Sequence, residues 1–364
     1  MVDFSLYIHL PFCSKKCDYC HFYVLPDKEV YKDQLLEGLQ KEWSLVMPFT
    51  QSGRPVSIYF GGGTPSLFGP DRLRELLNLW ECDGEITLEA NPETLTRELV
   101  QAYADSGINR LSLGVQSLDD ALLKTLSRTH NAQKAIDAVC LAADMIPNIS
   151  IDLMYDIPTQ TKEQWKSTLK KALTLPIQHI SLYNLTIEPQ TVFYKYREQL
   201  QKKVPNENDS RQMYQEAVTT FTDAGFHHYE ISAFCQNGKE SVHNSGYWTG
   251  RPFLGLGPSA FSYWDGARMR NIAHLNKYSR LLEEGKRPID FQEKLEPDAQ
   301  ARELFVIALR LLRGVSLSEF PLSQKSLSTL DELIRQGLLT RSKDRLHMTP
   351  LGILHYDTIA SELI

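Results

Sequence analysis

The stretch Tyr7–Tyr23, YIHLPFCSKKCDYCHFY, holds three of the chain's six cysteines, Cys13, Cys17 and Cys20, spaced Cys-x3-Cys-x2-Cys. A short apolar run, Ser5–Leu10, leads into it and predicts a strand. Pro11 ends the ladder, so the cysteines fall on a loop just past that strand. Three thiolates brought to one point suit a [4Fe–4S] cluster, in which each iron prefers a sulfur ligand and one iron is left open. Zinc fits less well, because structural zinc takes four closed ligands, usually as two separated pairs. His21 directly follows Cys20 and would strain to serve as the fourth. A disulfide reading fails on the odd count within the motif and on the lack of a secretory signal.

Outward from this stretch, strand-like runs alternate with helix-like segments. The runs are Ser5–Leu10, Val56–Phe60, Glu85–Ala90, Arg110–Val115, Ile149–Tyr155 and His179–Leu185. The helix-like segments are Lys28–Val46, Pro70–Trp80, Thr96–Ser106, Asn131–Met145 and Thr161–Leu173. That alternation predicts repeated βαβ units and a parallel sheet, an α/β fold. Such a sheet carries its site at the C-terminal ends of its strands. The unusual residues of this sequence fall there. The cysteines follow the first strand, Gly61-Gly62-Gly63-Thr64-Pro65 follows the second, and Glu89-Ala90-Asn91-Pro92-Glu93 ends the third. Gln116-Ser117 ends the fourth, and Asp152 lies within the end of the fifth. One composite site is expected from that coincidence, although a polar residue at a strand end, taken singly, is as often a solvated cap. Three glycines after a strand let the backbone turn tightly and expose N–H groups to a ligand, the alternative being a plain strand-to-helix turn. A P-loop is excluded, because no Gly-Lys-Ser/Thr follows.

The cysteine spacing, with Tyr19 before the third cysteine, resembles the signature of the radical S-adenosylmethionine (radical SAM) superfamily. The resemblance implies a partial (β/α)6 TIM-like barrel whose Cys13, Cys17 and Cys20 hold a [4Fe–4S] cluster. S-adenosylmethionine would chelate the open iron, and its reduction would release a 5′-deoxyadenosyl radical. The implied cofactor-binding set is Tyr7, Tyr19, Gly62, Gly63, Thr64, Glu89, Gln116, Arg128 and Asp152. The turn Gly61–Thr64 would receive the methionine amino group and Tyr7 would contact the first cofactor molecule. Glu89, Gln116, Arg128 and Asp152 would surround the ribose, carboxylate and adenine. FGGGTPSL, EANPE, GINRLSLGVQS, LSRTHN, SIDLMYDIP and HISLYNLTIEPQT read like the subgroup of oxygen-independent coproporphyrinogen III dehydrogenases and HemW heme chaperones. The likeness runs on through HYEISAF, HNSGYW and FLGLGPSAFS. The dehydrogenases carry a further cysteine two places after the third, where this chain has Phe22, and a long arm before the motif, where Cys13 is twelve residues from the start. Both features point to the heme-chaperone branch, which binds heme and passes it to acceptor proteins. Oxidative decarboxylation of coproporphyrinogen III is the alternative, and whether any radical chemistry is performed is left open.

Past the sixth strand, Lys202–Ser210 is polar and predicts a loop, Arg211–Ala224 a helix ending at Gly225, and His228–Phe234 one more strand. His243-Asn244-Ser245-Gly246-Tyr247-Trp248 follows. By itself such a histidine reads as a packing residue. The resemblance to the HNxxYW element of the heme chaperones makes His243 the candidate heme ligand in an aromatic-lined surface pocket, imidazole being a normal axial ligand. From Glu296 to Ile364, helix-like Ala299–Arg313 and Leu327–Gln336, a hairpin over Leu338–Met348 and a last helix opened by Thr349-Pro350 resemble a winged helix. The expected division is 1–235 for the barrel, 236–295 for a linker with the heme motif and 296–364 for a C-terminal α+β, winged-helix-like domain.

A formal net charge of −6 argues against a general nucleic-acid surface, so no nucleic-acid partner is expected. Apolar runs such as Leu304–Leu312 are too short to span a bilayer, and Met1–Leu10 lacks the pattern of a signal peptide. Cys82, Cys140 and Cys235 stand singly and read as buried apolar residues. A cytoplasmic protein without intrinsic membrane association is expected, and a homodimer is compatible with the sequence.

Overall fold

A parallel strand covered on both faces needs a nearly continuous apolar run, and the predicted strands have one. The computed structural model describes residues 3–50 and 53–364; Met1, Val2, Gln51 and Ser52 lie outside the described residues. In it the runs become the strands Phe4–Leu10, Pro55–Gly62, Glu85–Ala90, Arg110–Gln116, Ile149–Tyr155 and His179–Asn184. Each hydrogen-bonds in parallel to the next in chain order. Between them lie the helices Glu29–Val46, Pro70–Leu77, Arg97–Asp105, Ala132–Ala143 and Lys162–Ala172, each burying one face. Side chains stop the unpaired N–H groups at their starts. Thr96, Asn131 and Thr161 each accept from the backbone three residues on, and Thr161 forms a reciprocal capping box with Gln164. The α/β partial barrel is therefore present.

The segment 236–295 departs from the expected linker. Phe253–Leu256 pairs in parallel with the first strand, and Phe261–Trp264, Ala267–Asn271 and Ile289–Lys294 continue the same sheet antiparallel. The physical reason is the open edge of the first strand, whose buried N–H and C=O groups need partners. The strand expected over His228–Phe234 is two strands, His227–Glu230 and Ala233–Cys235, because the chain turns at Ile231-Ser232. Ala233–Cys235 pairs antiparallel with the sixth strand and His227–Glu230 pairs antiparallel with Ala233–Cys235 at the opposite edge, giving a sheet of 12 strands.

The C-terminal part has a core of its own, built on Phe305, Leu309, Leu330, Leu333, Leu346 and Ile359. Helices Pro297–Ala308, Gln324–Arg335 and Tyr356–Leu363 pack there with the hairpin Leu339–Ser342 and Arg345–Met348. That is the winged-helix-like order expected. Thr349 caps the short helix Pro350–Leu354 as the sequence predicts. Of the single cysteines, Cys235 is buried, Cys82 is half-buried, and Cys140 is exposed on its helix, against expectation.

Candidate functional site

The C-terminal ends of the parallel strands open into a cavity of about 350 Å³. Cys13, Cys17 and Cys20 line it together with Tyr19, Gly62, Gly63, Thr64, Glu89, Gln116, Arg128 and Asp152. The cysteine loop is held from several sides. Cys20 N–H donates to the Cys17 carbonyl at 3.1 Å, the Thr64 hydroxyl lies 3.7 Å from Cys13 Sγ, and Arg128 Nη1 reaches Cys17 Sγ at 3.5 Å. Gly63 permits this approach. A Cβ there would come within 2.6 Å of the Phe12 carbonyl oxygen and 3.0 Å of Cys13 Sγ. Gly62 has a φ of +120° and donates its N–H to Glu89 Oε2 at 3.1 Å. Tyr59 donates its hydroxyl to the other Glu89 oxygen at 2.8 Å.

Burial sets the electrostatics of the mouth. It pushes Glu89 up to about 7, with the Asp152 charge adding to the effect. Asp152 rises to about 6 for the same reason, against hydrogen bonds from Ser181 and Ser112 and the charge of Arg110. Burial also pushes the Cys13 thiol up to about 11 and raises that of Cys20. Free thiols in this setting hold their protons at neutral pH, whereas an iron ion deprotonates a coordinating thiol outright. Three cysteines on one cavity, with the Arg128 cation beside Cys17, fit a [4Fe–4S] cluster, which when bound would supply one-electron reduction.

The Arg128 guanidinium spends Nη2 on the Asn91 amide oxygen at 2.6 Å and the Gly114 carbonyl at 2.8 Å. Its buried Nε has no partner among the described residues. An orphaned buried donor fits a ligand with an anionic group, as S-adenosylmethionine has. The N–H groups of Gly62 and Gly63, expected to face a ligand, are instead bonded to Glu89 and to the Leu10 carbonyl. Gln116, at φ +65°, is a non-glycine residue held in the left-handed region at the strand end, a strained conformation of the kind found at ligand sites. Asn91 was not singled out in the sequence. It ties Arg128 to Thr64, donating to Thr64 Oγ1 at 2.9 Å. Its place between a strand end and Pro92 was the available signal.

Tyr7 and His243 do not line the cavity. The Tyr7 hydroxyl sits 3.0 Å from His9 Nδ1 and its ring stacks on Tyr59 at 6.2 Å. Burial lowers His9 to about 4, so it is neutral at neutral pH, with Nε2 donating to the Tyr23 carbonyl at 3.3 Å and Nδ1 accepting from Tyr7. His243 lies beneath the barrel on the helix Val242–Trp248 and is only 1% exposed. Ser57 donates to Ser5 at 2.9 Å, so His243 Nδ1–H donates to Ser57 at 3.0 Å, and Nε2 accepts from Tyr247 at 2.9 Å. Burial lowers this histidine to about 3, with Arg251 and Arg110 adding to the effect. Aromatic neighbours are present as expected, but the setting is interior, not a surface pocket. The cause is Glu85, whose carboxylate accepts from the N–H groups of Val242 and His243, both at 3.0 Å, and draws the helix under the strands.

Fold and mouth together define a centre of the radical SAM kind. The Radical SAM superfamily profile matches residues 7–172, and the HemN C-terminal domain profile matches residues 295–355. Heme chaperone HemW of Lactococcus lactis subsp. lactis (strain IL1403) is 35% identical, over 96% of this chain and 94% of that protein. Heme chaperone HemW of Bacillus subtilis (strain 168) is 32% identical over 96% of each. The structure of coproporphyrinogen III oxidase (HemN) from Escherichia coli, a radical SAM enzyme, covers 100% of this chain and 90% of that one at a TM-score of 0.87. At 23% identity that likeness is one of fold alone. The chain belongs to the radical SAM superfamily and, within it, to the family of the HemW heme chaperones.

Proposed function

We propose that this protein is a heme chaperone that binds heme and hands it to acceptor proteins. The observation that carries the reading is the near full-length identity to proteins named heme chaperone HemW, joined to Phe22 at the place where the dehydrogenases have a cysteine. A [4Fe–4S] cluster on Cys13, Cys17 and Cys20 and S-adenosylmethionine against Gly62, Gly63, Thr64, Glu89, Gln116, Arg128 and Asp152 complete the reading. In it Gly62 and Gly63 present backbone to the cofactor, Arg128 takes an anionic group on its free Nε, and Glu89 orients the Gly62 turn. Residues 1–235 carry the cofactors, and 296–364 offer a packing or partner surface. No helix among the described residues is long and apolar enough to cross a membrane. A cytoplasmic place of work is part of the reading. Neither nucleic acid nor membrane enters the reading, and a homodimer is compatible with it.

The test is anaerobically reconstituted protein given heme, then an apo-acceptor, and in a separate assay coproporphyrinogen III with reductant. Stable heme binding followed by transfer is expected, without decarboxylation. Decarboxylation without heme binding would replace the reading with the dehydrogenase one.

A further inference from the structure

We propose that heme seats at the rim of the barrel mouth, with His21 as iron ligand, Phe22 and Tyr183 against the macrocycle, and Lys15 and Lys16 on its carboxylates. The inference rests on the heme-handling reading above and assigns that ligand a place.

The rim is unusual in what it leaves in water. Phe22 is 52% exposed and Tyr183 is 47% exposed, and both line the cavity that holds the three cysteines. Phe22 comes from the cysteine loop and Tyr183 from the end of the sixth strand, so apolar rings bound the opening from two separate elements. Exposed aromatic surface around a concavity marks a place that an apolar ligand covers. A flat macrocycle matches rings better than a compact ligand does.

The iron needs an accessible nitrogen. The chain has ten histidines, and His21 is the one that lines the cavity. It is exposed, its ring lies 4.7 Å from that of Phe22, and no hydrogen bond engages either nitrogen among the described residues. Imidazole is a normal axial ligand of heme iron. His243 offers the contrary case. Its two nitrogens are spent on Ser57 and Tyr247 and its ring is buried, so iron could reach it only after the floor of the barrel opened.

The carboxylates need cations. Lys15 and Lys16 are exposed on the same rim, and neither is in an ion pair among the described residues. Lys16 Nζ donates to the Phe22 carbonyl at 3.0 Å, which fixes that cation beside the aromatic wall. Three acids line the cavity, Glu188, Glu89 and Asp152, all half-buried. Burial raises the last two toward neutrality, so that they oppose a carboxylate less than free acids would.

The experiment is a heme titration of full-length, cluster-reconstituted protein by difference absorbance, with iron and sulfide content checked for every variant. Lys15→Glu/Lys16→Glu should weaken binding about tenfold or more, the scale of two exposed ion pairs reversed in sign, and flatten its salt dependence. Lys277→Glu/Lys325→Glu carries the same charge change away from the cavity and should bind like the parent. His21→Ala should move the Soret band and lower affinity; His21→Met supplies a second reading if the alanine variant loses its cluster. Parental affinity and an unmoved Soret band in the lysine and His21 variants, with loss confined to His243→Ala, would overturn the placement and leave the chaperone reading standing. No heme binding by the parent would overturn both.

Discussion

The two ends of the same barrel follow opposite rules. At the floor, polar groups are spent on each other: His243 between Ser57 and Tyr247, and His179 between Ser150 at 2.7 Å and Tyr229 at 2.9 Å. Glu85 takes three donors from the helix start at Ser241–His243, while Arg110 Nε, 3.8 Å away, forms no hydrogen bond among the described residues. At the mouth, valences stay open. Arg128 Nε has no partner among the described residues, the carboxylates of Glu89 and Asp152 lie half-buried within reach of each other's charge, and aromatic rings stand in water. The floor is the more fully bonded of the two, although Arg110 Nε and, on the His243 helix, Ser245 Oγ and Trp248 Nε1 have no partner among the described residues. Bonded polar pairs specify packing, whereas unfilled valences facing a cavity are a cost that a ligand offsets. The difference separates residues that hold the barrel from residues that hold cargo.

The largest effect expected concerns the cysteines. Cys13→Ser, Cys17→Ser or Cys20→Ser should each abolish the cluster in reconstituted protein, since a hydroxyl is a poor ligand for soft iron. Cys82→Ser, Cys140→Ser and Cys235→Ser should keep it. Iron and sulfide analysis decides, and a full cluster in any of the first three variants would break the assignment of the mouth.

The next largest falls on the floor. His243→Ala leaves Ser57 and Tyr247 without their buried partner, and should cost about 3 kcal/mol of stability in a denaturant titration while iron content stays parental. A parental midpoint would show that the floor is not the structural end.

At the mouth, Gly62→Val should weaken S-adenosylmethionine binding about tenfold with the cluster retained, because φ is +120° and a Cβ would lie 2.8 Å from the His9 ring. Calorimetry giving equal affinities would remove the glycine turn from the site.

The smallest effect is a pH dependence. Burial raises Glu89 to about 7, so between its ordinary pKa near ~4.3 and 7 the folded chain holds a proton that the unfolded chain releases. The Glu89 contribution therefore makes stability fall as pH rises through that window. Buried His9 and His243, lowered to about 4 and about 3, act in the opposite sense below ~6.5. The measurement is accordingly the difference between parent and Glu89→Gln, in which glutamine still accepts from Tyr59. The parent's relative stability should decline toward pH 7. A flat difference would mean that the Glu89 carboxyl is not desolvated.

Much of the mouth was legible in the sequence, because its chemistry is local. Cysteine spacing, a glycine run after a strand, and polar residues at apolar strand ends are patterns between near neighbours, and most of the residues so chosen line one cavity. So are the helix starts, where Thr96, Asn131, Thr161 and Thr349 cap the backbone beside them. The stretch Glu89–Glu93 stands out in the sequence, but the bridging role of Asn91 within it does not, because its two partners, Thr64 and Arg128, come from either side in the chain.

What the tertiary structure alone decided involves partners far apart in the chain. Residues 253–294 joined the main sheet because the first strand had an unpaired edge, a need that no local pattern in those residues states. His243 turned from an expected surface ligand into a buried floor residue because Ser57, 186 positions away, and Glu85, 158 positions away, meet its helix. Periodicity and spacing report which faces are apolar and which side chains are reactive. Whether a given nitrogen is free or already bonded depends on residues that only folding brings within 3 Å.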